Sequence, residues 1–259
     1  MQKIVDAYKS DSIEEYLSGN PYPGRGIVIG FTPDGEKAVS AYFIMGRSEN
    51  SRNRVFVEEN DNLLIRPFDP TAVEDPSLII YYPIRIYNKN IIVTNGDQTD
   101  TIYSSLKEGG TFAEALRTRR FEPDSPNWTP RISGIVDIVG GSGYRMSILK
   151  SADRSGNACN RYFYEYEPLP GEGRFLHTYI TDADPLPTFT GEPFRVSIPF
   201  DIDSLTGDIW NNLDKNNRIS LYVRYTDVKT GRYEKRLINK LSETLCDTKH
   251  GINSNEASK

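Results

Sequence analysis

Gly26-Ile27-Val28-Ile29-Gly30-Phe31, then Pro33-Asp34-Gly35, then Ala38-Val39-Ser40-Ala41-Tyr42-Phe43-Ile44-Met45, is the stretch that decides the fold. Two runs rich in β-branched and aromatic residues flank a Pro-Asp-Gly turn, and together they predict a β-hairpin. Further strand signals lie downstream at Val55 to Val57, Leu63 to Arg66, Leu78 to Tyr82, Ile84 to Tyr87 and Ile91 to Thr94. Asn88-Lys89-Asn90 predicts a tight turn between the last two.

The period then changes. Thr99 or Asp100 is positioned to cap a helix that runs through Ile102, Leu106 and Lys107 and stops at Gly109-Gly110. Thr111 opens a second helix with Glu114 at the capping-box position. Strands resume, after the Pro-rich loop 123–130, at Arg131 to Val139, Tyr144 to Leu149, Arg161 to Glu167, Phe175 to Thr181 and Phe194 to Ile198. Gly140-Gly141-Ser142-Gly143 reads as the turn between the first two. Ser204 to Leu213 predicts a helix, and Ile219 to Tyr225 and Arg232 to Leu237 two late strands. Upstream of the hairpin, residues 12–18 predict a short helix closed by Gly19 and Asn20.

Runs of strands separated from runs of helices argue for an α+β layered fold rather than a doubly wound parallel sheet. Two antiparallel sheets faced by helices fit this order. The expected organisation is a single domain over residues 1–247, with an N-terminal extension over 1–21 and a flexible polar tail over 248–259.

A chain of 259 residues with 37 % hydrophobic and 26 % charged residues can bury a substantial core. No stretch approaches the roughly 20 apolar residues that span a bilayer, so no membrane partner is expected. Residues 1–12 lack the features of a signal peptide, which predicts a cytoplasmic location. Two cysteines, Cys159 and Cys246, and two histidines, His177 and His250, lack metal-ligand spacing. Neither a metal nor a cofactor is therefore expected. A net charge of −5 disfavours a nucleic-acid polymer as partner. An anionic ligand would need a local cluster of arginines.

Four segments could supply chemistry. Met45 to Arg54 carries Arg47, Arg52 and Arg54 with Ser48 and Ser51, at the end of an apolar strand. Arginine presents a planar fork of donors that matches phosphate or carboxamide oxygens, although a solvated surface loop reads the same way. Thr94-Asn95-Gly96-Asp97-Gln98-Thr99-Asp100 leads into a helix N-terminus, which suits an anion, and Asn95-Gly96 suggests a positive φ. A capped turn is the alternative. Phe121 to Arg131 is stiffened by three prolines and offers Glu122 as acid or base, with Asn127, Thr129 and Arg131 as hydrogen-bonding groups. A rigid surface turn is the alternative there. Gly171 to Tyr179 lacks the phosphate-loop pattern, and its His177 is either a polar binder or a structural residue. Nucleophile-elbow, Walker and His-Glu-x-x-His patterns do not occur.

Gly24-Arg25-Gly26 before a hydrophobic strand, the loop from Arg47-Ser48 to Asn53-Arg54, Tyr82 to Arg85, Asn95-Gly96 to Thr99-Asp100, and Thr129-Pro130-Arg131-Ile132 occur in this order. The set resembles the archaeal-type IMP cyclohydrolase family over roughly residues 22 to 200. The resemblance implies a four-layer αββα sandwich similar to that of N-terminal nucleophile hydrolases, and Met1-Gln2 supplies no such nucleophile. It implies a hydrolase acting on cyclic amidines, closing 5-formamidoimidazole-4-carboxamide ribonucleotide to IMP and water in purine biosynthesis. Its partner would be that small purine ribonucleotide, and a homo-oligomer is one option for its assembly.

Under the same resemblance Glu122 transfers protons, Tyr82 donates to the formyl oxygen, and Arg54 polarises that oxygen or orients the carboxamide, a role open also to Arg52. Arg47, Ser48, Asn95, Gly96 and Asp97 would hold the nucleotide with its phosphate. Asn127, Thr129, Arg131 and His177 complete the expected binding set. A non-catalytic purine-nucleotide-binding protein and an amide hydrolase on the same fold are the competing readings.

Overall fold

The computed structural model describes residues 6, 8–72, 80–138 and 143–242. The hairpin at its centre is β1 (Arg25–Phe31) and β2 (Lys37–Met45), with Ile27 opposite Tyr42. The first sheet adds β10 (Glu172–His177), β11 (Phe194–Ser197), β12 (Arg218–Asp227) and β13 (Tyr233–Asn239) in the order β11-β10-β1-β2-β12-β13. The second sheet runs sequentially through β3 (Val55–Glu59), β4 (Asn62–Arg66), β5 (Ile84–Tyr87), β6 (Asn90–Thr94), β7 (Arg131–Asp137), β8 (Tyr144–Ser151) and β9 (Cys159–Tyr166). Neighbouring strands in both sheets are antiparallel.

Period-two patterning sorts the side chains into layers. Ile27 and Ile29 of β1 and Tyr42 and Ile44 of β2 face the second sheet, where they join Ile91, Val93, Ile132 and Val136. The alternate residues Val28, Val39, Ala41 and Phe43 face outward, onto α1 (Glu14–Leu17) and α5 (Ile202–Asn212). On the far side, Ile92 and Ile135 pack beneath α3 (Gln98–Lys107) and α4 (Phe112–Arg117). The result is four layers, helix, sheet, sheet, helix, as expected. Gly134 permits the close approach of the sheets, because a Cβ there would stand 2.4 Å from Ile29 Cδ1.

Local chemistry sets the element boundaries. Thr111 and Glu114 form the anticipated capping box of α4. The α3 cap differs from expectation. Asp97, not Thr99 or Asp100, occupies the N-cap, and its carboxylate makes no cap hydrogen bond because two arginines hold it. Residues 80–82 are not strand, although the Tyr81 carbonyl accepts from Ile65 N at 3.0 Å. The loop after β2 contains a helical turn, α2 (Glu49–Arg52), which periodicity did not reveal and a Ser48–Ser51 capping box supports. Residues 8–21, read from sequence as an extension, are integrated: Ile13 and Leu17 are fully buried against α5. The anticipated turn at 140–143 falls almost wholly outside the described residues, and the anticipated tail at 248–259 lies entirely outside them.

Candidate active site

Antiparallel pairing brings the start of β1, the ends of β2 and β6 and the start of β7 to one end of the sandwich. A pocket opens there, lined by Arg25, Tyr81, Asn95, Gly96, Asp97, Glu122 and Arg131. Arg25 shares its face of β1 with Ile27 and Ile29, so it is the charged end of a row of core residues. Arg54, 7 % exposed, lies just before β3 and within electrostatic reach of Arg25, Tyr81 and Glu122. The Nε atoms of Arg25 and Arg54 are buried without a hydrogen-bond partner. Two such guanidiniums repel each other and form a setting for an anionic or carbonyl ligand.

Glu122 sits at the head of a braced loop. Its backbone N–H donates to Thr129 O at 2.9 Å. Asp124 accepts from the Thr129 backbone N–H at 2.7 Å and also from the Thr129 hydroxyl. Trp128, with φ of +45°, packs edge-on against Phe121 and donates to Arg154 O at 2.9 Å. Burial raises the Glu122 carboxyl above the usual carboxylate range; Arg25, Arg131 and Arg54 oppose the shift without cancelling it, and Asp124 adds to it. A carboxyl held in this way is suited to taking and returning a proton. For Arg25, burial works against the charge, but Glu122 and the phenols Tyr22, Tyr179 and Tyr81 more than offset it, and its pKa is raised. Arg54 moves the other way, lowered by burial and by Arg25.

The wall opposite Arg25 is a polar network. Arg131 Nη1 donates to Gln98 Oε1 and meets Asp97 Oδ1, both at 2.6 Å. Gln98 Nε2 donates to Asn95 Oδ1 at 3.0 Å and to Ile132 O at 3.2 Å. Asn95 accepts from Ile132 N and donates to Pro130 O, so it ties the two loops together instead of pointing a free amide at a ligand. Gly96 has no positive φ, contrary to the sequence expectation. Space is what restricts this position: a Cβ would stand 2.6 Å from Arg131 Nη1 and from Gln98 Oε1.

Of the residues anticipated from sequence, Glu122, Asn95, Gly96, Asp97 and Arg131 line the pocket and Arg54 adjoins it. Tyr82 does not line it. The Tyr82 hydroxyl donates to Glu59, and its ring lies under Arg85. Tyr81 faces the pocket instead. Arg47 is exposed, paired with Asp182 at 2.6 Å and placed over the Tyr22 ring. Ser48 is occupied in capping α2, and Arg52 donates to Gly46 O and Asn217 Oδ1. Asn127 accepts from Leu186 N, and the Thr129 hydroxyl pairs with Asp124 and Tyr179. His177 is enclosed by Phe175, Phe189 and Phe194, its Nδ1 2.7 Å from Tyr179 O, and burial lowers its pKa to about 4.

No site role was expected from sequence for Arg25, Tyr81 or Gln98, although Arg25 stands in the Gly24-Arg25-Gly26 motif and Gln98 in the Thr94 to Asp100 segment. Arg25 carried a usable signal, a charge in step with Ile27 and Ile29 on the core face of a strand. Strand parity over the expected Leu78 to Tyr82 run would only have put Tyr81 and Tyr82 on opposite faces, and residues 80–82 are not strand, so it could not tell which of the two enters the site. Among the described residues no three His, Cys, Asp or Glu side chains gather as metal ligands, and no helix is long and apolar enough to cross a membrane.

The sheets and the pocket define a class: an α+β sandwich that gathers arginines, a carboxyl and a phenol at one end. The profile of the IMP cyclohydrolase-like protein family matches residues 22–231, and the chain belongs to that family. It is 32 % identical to the IMP cyclohydrolase of Methanopyrus kandleri over 162 residues, which cover 61 % of this chain and 75 % of that protein. The IMP cyclohydrolase of Methanothrix thermoacetophila is 29 % identical over 164 residues, 59 % of this chain and 80 % of the relative. That of Methanocaldococcus jannaschii is 34 % identical over 118 residues, 45 % of this chain and 57 % of the relative.

Proposed function

We propose that this protein is an IMP cyclohydrolase, which closes 5-formamidoimidazole-4-carboxamide ribonucleotide to IMP and water. The observation that carries the reading is the meeting of Glu122, its carboxyl raised by burial, with Arg25 and Tyr81 in one pocket, beside Arg54, in a chain that belongs to this family.

The chemistry asks for what that pocket holds. The carboxamide nitrogen bonds to the formyl carbon and loses one proton, while the formyl oxygen gains one. The former formamide nitrogen then loses its proton as the carbon–oxygen bond breaks, and the oxygen leaves as water. An amide nitrogen is a weak nucleophile, so the two groups must be held face to face; full orientation lowers such a barrier by up to roughly 7–11 kcal/mol. Glu122 takes the carboxamide nitrogen's proton and passes it to the formyl oxygen, then takes the former formamide nitrogen's proton and passes it to the departing hydroxyl, a role typically worth about 10²–10⁴-fold. Tyr81 donates to the formyl oxygen, and Arg54 stabilises the charge that grows on it; a preorganised donor of this kind contributes about 3–4 kcal/mol. Arg25 and Arg131 bind the nucleotide's anionic and carbonyl oxygens.

Purified protein incubated with the formylated carboxamide ribonucleotide should form IMP, followed by chromatography against an enzyme-free blank. Glu122→Gln should reduce kcat at least about 100-fold with little change in KM. No turnover by the unaltered protein would refute the reading, and wild-type kcat in Glu122→Gln would remove Glu122 from the reaction.

A further inference from the structure

A second phenol stands behind Tyr81. Tyr42 lies mid-strand in β2 on the face turned toward the second sheet, and it is fully enclosed. Its ring stacks on Phe56 with centroids 5.7 Å apart. Its hydroxyl lies 3.0 Å from the Tyr81 hydroxyl, the one hydrogen-bond partner it has among the described residues.

Each phenol has one proton to give and an oxygen that accepts. A buried donor left without an acceptor bears the full desolvation cost of the group. Tyr42 can place its proton only on Tyr81. Tyr81 lines the pocket and can place its own proton there. Both protons are used only when Tyr42 donates to Tyr81 and Tyr81 donates into the pocket. The opposite polarity strands the Tyr42 proton and leaves Tyr81 nothing to give a ligand.

We propose that Tyr42 is a positioning residue for the ring closure, its hydroxyl donating to Tyr81 and thereby directing the Tyr81 O–H onto the formyl oxygen of bound substrate. This rests on the reaction assigned above. Consecutive donors polarise one another, so the link also makes Tyr81 the stronger donor. The groups facing the pair are Arg25 from β1, Arg54 ahead of β3, Glu122 beyond Tyr81, and Tyr222, which stands opposite Tyr42 on β12. Burial raises the Tyr81 phenol above its ordinary value and Glu122 adds to this, while Arg25 and Arg54 draw it back down.

A double-mutant cycle of the wild type, Tyr42→Phe, Tyr81→Phe and the double variant tests this. Tyr42→Phe removes one oxygen and keeps the ring against Phe56. Its kcat should fall about tenfold with KM within about twofold, and the alkaline limb of kcat should move to higher pH because the Tyr81 phenolate loses a donor. In the Tyr81→Phe background the same change should cost nothing. Wild-type kcat in Tyr42→Phe, or an equal loss in both backgrounds, overturns the role of Tyr42 alone. Absence of turnover in the wild type overturns the reaction and this role with it. If Tyr42→Phe does not fold, 3-fluorotyrosine placed at position 42 keeps the shape and strengthens the donor. It should move the alkaline limb to lower pH, and an unmoved limb overturns the proposal.

Discussion

Asp97 Oδ1 lies 2.6 Å from Arg131 Nη1, while the second oxygen of Asp97 accepts from Arg119 Nη2 at 2.5 Å. One carboxylate at the α3 N-cap therefore spans two guanidiniums. Burial alone would raise the Asp97 carboxyl; the two arginines more than offset this and hold it below the usual carboxylate range. Asp97→Asn should loosen Arg131 and raise KM by up to about fivefold, the equivalent of the roughly 1 kcal/mol that a half-exposed ion pair contributes at most. The change should shrink in high salt. An unaltered KM at low ionic strength would show that Gln98 holds Arg131 by itself.

Gly96→Ala adds a methyl group where Arg131 Nη1 and Gln98 Oε1 already stand 2.6 Å away. Both obstacles are ends of flexible side chains, so the loop can accept the methyl by displacing them. We expect kcat/KM to fall about tenfold while the melting temperature moves by less than about 3 °C. A large thermal destabilisation would mean that the backbone yields instead of Arg131.

Arg25→Ala and Arg47→Ala should separate cleanly in steady-state kinetics. Arg25 lines the pocket with its Nε unpartnered, and a charge-assisted hydrogen bond to ligand is worth about 1.5–3 kcal/mol, so KM should rise roughly 10- to 100-fold. Arg47 is exposed and already held by Asp182 and by the Ala183 carbonyl. Its removal should change KM by less than about threefold, as surface pairs do. The reverse ranking would move the nucleotide phosphate out to the Arg47 loop.

His177 should make the fold acid-sensitive in a defined window. Its pKa is lowered from 6.5 to about 4 because burial disfavours the cation. The unfolded chain therefore binds the proton first as pH falls. The contribution of neutral His177 is complete above pH 6.5 and is lost progressively between 6.5 and about 4, a total of about 3 kcal/mol. Urea unfolding at pH 7 and pH 4.5 should show this loss in the wild type and a smaller one in His177→Gln. Equal losses would assign the acid sensitivity to other groups.

The sequence by itself determined the layering. Short runs rich in β-branched and aromatic residues bounded by turn signals form strands, and the Pro33-Asp34-Gly35 turn joins β1 to β2. The capping box at Thr111 and the stop at Gly109-Gly110 are likewise local, because they satisfy backbone groups within a few residues. Glu122 and Arg131 were legible as polar residues on a proline-stiffened loop.

Only the tertiary structure decided which side chains share the pocket. Arg25, Tyr81 and Glu122, with Arg54 beside them, come from four separate segments, and their encounter depends on the register and stacking of two sheets. The same packing turned Tyr81 inward and Tyr82 out to Glu59, gave Ser48 and Arg52 to the support of α2, and enclosed His177 among phenylalanines. Residue type fixes what a side chain can donate or accept, but desolvation and partner geometry decide where that capacity is used, and both are properties of the assembled layers.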